Sequence, residues 1–380
     1  MKQTFSTLRF EQVKGVGTIE AHFEPDQRVY TLIGENGVGK TKFLECLFTL
    51  LFVSSDRLLK NISIDIKGFP FKKLIVDNVK TDFSQYTDWY YPKHQKLSTE
   101  IESNKPFVYI SAQHRSDVKK ENYHNDKLGN YEQRFSDYLN YLANSFSSEN
   151  RFKNLNSDID LNDWIVQRAK SASPYLTKED NREIEITTLI SLLNKIDERI
   201  DPEFLEISGD NRVFLKIENQ KRELSELSSG FTSILKILQA IISGYSYFTN
   251  ETQIVNVPGI VLIDEIESHL HNQWQVKIIP LLKQLFPNTV FFITTHSSLV
   301  ISQLEDGEAY RLERNKQDGV VYANKIHRPS KVTFIDLMQD AFDVDLNQLK
   351  IERTEKSDQS EIKKALLALV EKELEKMGDK

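Results

Sequence analysis

Residues 34–41 read Gly-Glu-Asn-Gly-Val-Gly-Lys-Thr and directly follow the apolar run 29–33, which predicts a buried strand. The octapeptide matches the pattern G-x-x-x-x-G-K-[ST] at every fixed position and has an additional glycine at Gly37. Its glycines allow backbone amides to curl around phosphate oxygens, and the N-terminus of a following helix adds partial positive charge. We therefore expect an α/β fold in which a strand, this loop and a helix bind phosphate.

Each residue type in the loop has a chemical role in this interpretation. Asn36, Gly37 and Gly39 lie in the turn that surrounds the phosphates. Lys40 places an ammonium group on the β- and γ-phosphates, and Thr41 offers its hydroxyl to magnesium. The alternative is an ordinary glycine-rich turn between a strand and a helix. Such a turn does not require lysine and threonine after its last glycine, so we favour the phosphate-binding loop.

Composition excludes several classes of protein. Of the 380 residues, 39% are hydrophobic, which argues against disorder and collagen, and the single cysteine, Cys46, cannot form an internal disulfide or a cysteine zinc site. No run approaches the ~20 apolar residues of a membrane span, and the first residues lack a signal-peptide core. We expect a cytoplasmic protein without a membrane partner. The net charge of −7 argues against DNA binding by the whole surface but permits a local basic patch for nucleic acid.

Hydrophobic patterning predicts strands near both ends of the chain and helices in the middle. Helical spacing recurs between residues 131 and 200. A hairpin is expected to turn at Gly209-Asp210-Asn211. The other predicted strands are 7–10, 18–23, 107–110, 259–263 and 289–293, and the other predicted helices are 42–52, 231–243 and 273–286.

A second motif, residues 260–265, reads Ile-Val-Leu-Ile-Asp-Glu. Four apolar residues followed by two acids fit a buried strand whose carboxyl end faces the ligand, which is where an open α/β sheet binds it. Asp264 would hold magnesium, directly or through water. Glu265 would be the general base that polarises the attacking water. Strands often end in acids, so this motif alone is weak evidence. The phosphate loop with Lys40 elsewhere in the chain makes the interpretation stronger.

A third apolar strand, within residues 289–296, also delivers a polar side chain at its tip. The side chain is His296, a candidate sensor of the γ-phosphate. A lone histidine is more often structural, but its position after a strand and downstream of Glu265 favours a role in the site.

Two weaker candidates complete the set. Gln113 follows the strand 107–110 and could sense magnesium and the attacking water, although His114 and Arg115 compete for that role. Residues 227–230 read Leu-Ser-Ser-Gly before a predicted helix, so Ser228 and Gly230 could form a second anion cradle. The alternative for Ser228 is an ordinary helix N-cap.

Taken in order, these motifs resemble an ABC-type ATPase head: phosphate loop, glutamine loop, Leu-Ser-x-Gly signature, acidic strand and switch histidine. The half-strands before the phosphate loop look like those of the SMC, RecF and OLD branch. Residues 264–271, Asp-Glu-Ile-Glu-Ser-His-Leu-His, are similar to the Asp-Glu-Pro-Glu-x-His-Leu-His run of OLD-like, AAA-type ATPases. Stand-alone heads of this kind are common in bacterial anti-phage loci, such as the Septu and retron systems.

The resemblance implies a P-loop NTPase fold, with a mixed central sheet plus antiparallel N-terminal strands and an inserted helical lobe. It also implies that Arg9 contacts the nucleotide, and that the strand near 107–113 belongs to the head. The expected domains are the N-terminal part of the head (1–53), the mostly helical insertion (54–203), the C-terminal part of the head (204–345) and a helical tail (346–380).

In this family two heads bind face to face, and each ATP lies between the phosphate loop of one subunit and the signature of the other. The resemblance therefore implies an ATPase with ATP and Mg²⁺ as cofactors, forming a homodimer or higher oligomer with ATP at the interface. We find no nuclease pattern after His296, so the expected function is regulation of a separate effector, such as a nuclease, in anti-phage defence. The alternative is a RecF-like repair or recombination ATPase that acts directly on DNA. A transporter subunit is disfavoured because the transporter-type loop after the acidic strand is absent.

Overall fold

The computed structural model describes residues 6–348 apart from 60–61, 63, 78, 87, 90–104, 117–127, 148–151, 158 and 178, together with 351 and 367–368. The chain divides into two compact units, Met1–Ser330 and Lys331–Lys380. In the second unit, one helix begins after Thr333, whose hydroxyl accepts a hydrogen bond from the backbone N–H of Asp336. Most of the helical tail that was predicted beyond residue 346 lies outside the described residues.

The described elements are fifteen strands and nine α-helices. The strands are β1 (Thr7–Val13), β2 (Gly17–His22), β3 (Val29–Ile33), β4 (Ile64–Asp65), β5 (Lys73–Val76), β6 (Val79–Asp82), β7 (Asp88–Trp89), β8 (Phe107–Ile110), β9 (Ile200–Ile207), β10 (Val213–Ile217), β11 (Gln220–Glu223), β12 (Gly259–Ile263), β13 (Thr289–Thr294), β14 (Ala309–Arg314) and β15 (Val321–Lys325). The helices are α1 (Lys40–Val53), α2 (Asp56–Leu59), α3 (Tyr131–Asn144), α4 (Leu161–Ser171), α5 (Glu183–Ile196), α6 (Ser229–Phe248), α7 (Asn272–Leu285), α8 (Ser298–Ile301) and α9 (Phe334–Phe342).

One ten-stranded sheet forms the centre of the first unit, in the order β6-β5-β1-β2-β15-β14-β3-β13-β12-β8. The five strands from β14 to β8 are mutually parallel. All residues of β3, β8 and β12 are buried, as expected for parallel strands that are covered on both faces. The continuous apolar runs in the sequence reflect this burial.

The other half of the sheet is largely antiparallel. Strand β1 pairs antiparallel with β2 on one side and with β5 on the other, and β5 pairs antiparallel with β6. Strand β15 joins the two halves, since it pairs antiparallel with β14 and parallel with β2. The predicted α/β class is thereby confirmed, including the mixed central sheet with antiparallel N-terminal strands.

Helix α1 follows the glycine-rich loop directly and is buried along most of its length. Aromatic contacts hold it against the sheet and the insertion: the ring centroids of Phe48 and Phe107 are 5.6 Å apart, and those of Phe52 and Phe146 are 5.1 Å apart. Edge-to-face pairs of this kind stabilise a core beyond simple burial of area. The loop before α1 is therefore anchored to the hydrophobic core.

The segment 54–203, predicted as a mostly helical lobe, contains both strands and helices in its described part. Helices α3, α4 and α5 fit the prediction, but β5 and β6 extend the central sheet beside β1. The hairpin predicted around Gly209 is present as β9 and β10, and β11 adds a third strand to this separate small sheet. None of the helices in the described ranges is both long and apolar enough to span a bilayer.

A buried ionic cluster holds α4 and α5 together. Glu185 accepts hydrogen bonds from Arg168 Nε at 2.9 Å and from Arg182 Nε at 2.8 Å, and all three side chains are nearly inaccessible to solvent. Burial by itself would raise the pKa of Glu185, but the two guanidinium groups hold that pKa below its usual value. The carboxylate is therefore charged and compensates two buried cations.

We expect Glu185→Gln to lower the free energy of unfolding by about 3–5 kcal/mol, because it leaves buried guanidinium charge without compensation. Urea unfolding at pH 7, followed by circular dichroism, measures the change. Since the folded-state pKa of Glu185 is lowered, its stabilising contribution is present above the ordinary carboxyl pKa and is lost as the pH falls below it. Glu183→Gln is the matched control, because Glu183 is exposed in the first turn of the same helix. Equal unfolding midpoints for the two variants would contradict the prediction.

Candidate nucleotide site

The carboxyl ends of three neighbouring parallel strands meet at one edge of the sheet. Strand β13 lies between β3 and β12, and in this register Ile293 is paired with both Thr31 and Ile263. The segments that follow these strands therefore emerge side by side, as expected for an open α/β sheet. A cavity of about 280 Å³ lies at this edge, and its lining includes Asn36, Gly37, Gly39, Lys40, Thr41, Glu265 and His296.

Glycines shape the loop in front of α1. Gly34 has φ +142°, and a Cβ atom there would lie 2.7 Å from the backbone oxygen of Leu312. Gly39 has φ +118°, and a Cβ atom there would lie 3.0 Å from the side chain of Val16. The positive φ disfavours a side chain at both positions, and at Gly34 the nearby backbone oxygen also leaves no space for one. The loop can curl tightly against β14 and the β1–β2 turn only with glycine at these places.

Lys40 closes over the loop. Its Nζ donates hydrogen bonds to the backbone oxygens of Gly34 at 2.8 Å and Glu35 at 2.9 Å. Burial lowers the pKa of Lys40 to about 8, against the opposing attraction of Asp264 and the acids beside it. Among the described residues, the hydrogen-bond partners of this cation are backbone carbonyls, and a phosphate oxygen would be a stronger partner.

Thr41 and Asp264 form the candidate magnesium pair. The hydroxyl of Thr41 donates to the Asp264 carboxylate at 3.1 and 3.0 Å, and the hydroxyl of Thr294 donates to Oδ1 of Asp264 at 2.6 Å. Burial raises the pKa of Asp264, while these two hydroxyls oppose that change. A hydroxyl and a carboxylate at this spacing fit Mg²⁺, which prefers oxygen ligands and takes the remaining ones from phosphates and water.

Glu265 lines the cavity beside this pair. Its backbone has φ +45°, an uncommon conformation for a residue other than glycine. Its backbone N–H donates to the Thr294 hydroxyl at 2.7 Å, and its Oε2 accepts a hydrogen bond from Ser268 Oγ at 3.1 Å. Glu265 therefore contributes a carboxylate to the lining of the cavity.

His296 faces the same cavity from the loop after β13. Its backbone N–H donates to Oε1 of Glu267 at 2.6 Å, and the hydroxyl of Thr295 donates to Oε2 of Glu267 at 2.7 Å. Burial, together with the positive charge of Lys40, lowers the pKa of His296. Glu267 thus orients the histidine loop, a role that the sequence analysis did not assign. The sequence feature that could have indicated this role is the further acid, Glu267, two residues after Glu265.

Asp264 lies beside the cavity through its hydrogen bonds with Thr41, and four other candidate residues do not line the cavity. Gln113 is exposed in the turn after β8, whereas Arg115, which competed with it, is fully buried. Arg9 is paired with Glu11 and Glu20 across the antiparallel half of the sheet. The other two, Ser228 and Gly230, lie at the start of α6, where the Ser228 hydroxyl accepts a hydrogen bond from the backbone of Phe231 at 3.3 Å. The N-cap role is thus present, and Ser228 is exposed.

The β1–β2 turn contributes residues that the sequence analysis missed. Lys14, Gly15 and Val16 line the cavity opposite the phosphate loop, and the backbone oxygen of Val16 accepts a hydrogen bond from Arg314 at 2.8 Å. The glycines of this turn were visible in the sequence. Their approach to the loop depends on pairing between β2 and β15, which local patterning does not reveal.

A protein family model matches most of the chain. Residues 29–302 match the family model described as "AAA domain, putative AbiEii toxin, Type IV TA system". This range extends from β3 through α8 and so includes the phosphate loop, the acidic strand and the histidine loop. The match covers more than half of the chain.

Several curated proteins and many solved structures are similar to the chain, and three of them illustrate the resemblance. A Septu protein PtuA from Bacillus mycoides is 26% identical over 310 residues, which are 80% of this chain and 38% of that protein. A retron Vc95 probable ATPase from Vibrio cholerae is 26% identical over 345 residues, which are 71% of this chain and 66% of that protein. The chain thus spans less than two thirds of the length of either relative. The SMC head bound to the C-winged helix domain of ScpA aligns with a TM-score of 0.45 and 12% identity, over 87% of this chain and 100% of that one.

The range matched by the family model contains the main residues of the candidate site. Lys40, Thr41, Asp264, Glu265 and His296 all lie within the matched range and around one cavity. Because the match spans most of the chain and contains every element of the cavity's sheet edge, the chain belongs to this AAA domain family of P-loop ATPases.

Proposed function

We propose that the protein is a magnesium-dependent ATPase that closes as a dimer around ATP and regulates a separate effector protein in anti-phage defence. The observation that carries the proposal is the convergence of Lys40, Thr41, Asp264, Glu265 and His296 on one sheet edge. The names of the Septu and retron relatives support the defence role.

In this proposal, different residues of the chain bind the phosphates, hold the metal and activate the water. Backbone amides of the phosphate loop and Lys40 bind the phosphates, and Thr41 with Asp264 would hold Mg²⁺, which supplies charge neutralisation at the phosphate oxygens. Glu265 accepts a proton from the attacking water. His296 donates a hydrogen bond where negative charge develops on the phosphate.

The position of the signature supports the proposal of a dimer. Ser228 is exposed at the start of α6 and does not line the cavity of its own chain. A second copy facing the cavity could present its Ser228 and Gly230 to the phosphates from the open side. ATP would then add contacts that exist only in the closed dimer, and hydrolysis would remove them.

Mixing two inactive variants tests this arrangement. Lys40→Ala damages the phosphate loop, and Ser228→Arg places a bulky group on the exposed signature. In a mixed dimer, one composite site carries both defects and the other carries neither. We therefore expect each variant alone to be inactive and the mixture to regain ATP hydrolysis, towards about a quarter of the wild-type rate for random pairing of equal subunits.

The control places both substitutions in one chain and mixes it with wild-type protein. Every composite site in those mixed dimers carries one defect, so mixing should give no gain above the wild-type homodimers that remain. If the two single variants fail to complement, the shared site is wrong. DNA-stimulated hydrolysis together with salt-dependent DNA binding would instead support the RecF-like alternative.

A further inference from the structure

Arg115 lies in the turn after strand β8, which is the neighbour of the acidic strand β12 in the sheet. The side chain has no solvent exposure, and its Nη2 donates a hydrogen bond to the backbone oxygen of Glu265. Strands β8 and β12 pair in parallel, and the backbone N–H of Asp264 donates to the oxygen of Ile110 at 2.9 Å. The arginine therefore reaches Glu265 from the neighbouring strand of the same sheet.

Burial of this guanidinium is costly. In the described part of the chain, Nε and Nη1 of Arg115 are buried and have no hydrogen-bond partner. Burial lowers the pKa of Arg115 to about 10, against the attraction of Asp264, Glu267 and Glu265, so the group is cationic at neutral pH. Well-packed apolar side chains often replace buried charges without loss of stability. Packing alone thus does not account for an arginine here.

The hydrogen bond from Arg115 is made to a residue with an uncommon backbone conformation. Glu265 has φ +45°, and this conformation is held from both sides: its N–H donates to the Thr294 hydroxyl at 2.7 Å, while its oxygen accepts hydrogen bonds from Arg115 and from the backbone N–H of Ser268 at 2.9 Å. Such strain persists only where the surroundings determine it. The direction of the Glu265 carboxylate follows from this backbone.

The turn that carries Arg115 is itself fixed by the signature helix. Lys236 of α6 is buried, and its Nζ donates to the backbone oxygens of His114 at 2.8 Å and Ser157 at 3.3 Å. The same helix begins at Ser229, next to the exposed Ser228. Hydrogen bonds thus join α6 to the turn after β8 at His114, and join that turn to Glu265 through Arg115.

We propose that Arg115 is a positioning residue for Glu265: its hydrogen bond to the Glu265 backbone oxygen holds the carboxylate in the direction needed to activate water. The inference rests on the proposed function of Glu265. Of the residues in the turn after β8, the buried Arg115 and not the exposed Gln113 then acts on the activation of water. The inference predicts that loss of Arg115 lowers the turnover rate and leaves ATP binding unchanged.

Steady-state hydrolysis by the full chain tests the assignment. Arg115→Met keeps the volume and removes the donors, and we expect it to lower kcat about 10- to 100-fold, as for a small misplacement of a catalytic group, with KM and ATP affinity within about twofold of wild type. Arg115→Lys keeps the charge and one donor nitrogen, and it should restore part of kcat. Arg199→Met is the matched control, since Arg199 is exposed and forms ion pairs with Asp197 and Glu218, which are outside the cavity.

Combining the substitutions separates a positioning role from a folding defect. If Arg115 acts through Glu265, Arg115→Met in the Glu265→Gln background should cause no further loss of rate, whereas a general defect would multiply the two losses. Wild-type kcat in Arg115→Met, or multiplied losses, would overturn the inference. If Arg115→Met does not fold, the kcat of Arg115→Lys decides: a lowered value with unchanged KM supports the inference, and a wild-type value overturns it.

The inference and the function on which it rests can fail separately. Wild-type hydrolysis by Glu265→Gln would remove the role of Glu265 as the base, and the positioning role with it. An inactive Glu265→Gln together with a fully active Arg115→Met would remove only the role of Arg115.

Discussion

Glu265→Gln is expected to lower the rate of ATP hydrolysis by about 100- to 10,000-fold, the range that a positioned general base contributes. The amide keeps the size and hydrogen-bonding capacity of the carboxylate but cannot accept the proton of the attacking water. ATP binding should remain, because the phosphate loop and the Thr41–Asp264 pair are unchanged. Phosphate release measures hydrolysis, and calorimetry measures binding.

The same variant should accumulate as an ATP-bound closed dimer. Light scattering coupled to size exclusion, with and without ATP and Mg²⁺, would detect a doubling of mass that wild-type protein shows only transiently. Glu313→Gln is the matched control, since Glu313 is exposed on β14 of the same sheet. Hydrolysis at the wild-type rate by Glu265→Gln would show that another group acts as the base.

Lys40→Ala is expected to weaken ATP binding by about 100-fold or more, which corresponds to about 2.7 kcal/mol. Lys40 is the cation whose Nζ already lies over the loop, bound to the oxygens of Gly34 and Glu35. Its removal takes away charge-assisted hydrogen bonds to the phosphates, and the helix N-terminus alone does not replace them. Isothermal titration calorimetry with ATP and Mg²⁺ measures the loss.

Two controls show whether the loss of ATP affinity is specific to Lys40. Lys277→Ala removes an exposed lysine from α7 and should leave ATP affinity unchanged. The melting temperature of Lys40→Ala without nucleotide should stay close to that of wild type or rise, because a buried ammonium is costly. An unchanged ATP affinity in Lys40→Ala would remove the phosphate-loop assignment.

The main elements around the site were predictable because their signals are local. The run 29–33 is buried throughout and forms β3, and the apolar segment after Thr41 forms α1. Burial on both faces selects continuous apolar runs, and tight loops against other backbone select glycine. These constraints act on residues that are adjacent in the chain, so they can be read from the sequence.

The turn after β8 shows why other parts of the site could not be predicted from the sequence. Gln113, His114 and Arg115 are consecutive, yet Gln113 is exposed, His114 has φ +60° and Arg115 is buried. In a turn, each side chain takes its direction from its own backbone angles, so residue type does not reveal which one faces the site. Glu267 and the β1–β2 turn were missed for a related reason, since their partners are distant in sequence.

The sequence by itself determined the chemical groups and the local elements that present them: a glycine-shaped loop with Lys40 and Thr41, and two apolar strands that are followed by Asp264 and His296. Only the tertiary structure decided which of those groups meet. Thr41 and Asp264 lie 223 positions apart in the chain and come within hydrogen-bonding distance because β3, β13 and β12 are neighbours in one sheet. Pairing between distant strands depends on the packing of the whole sheet, and no local pattern of residues encodes it.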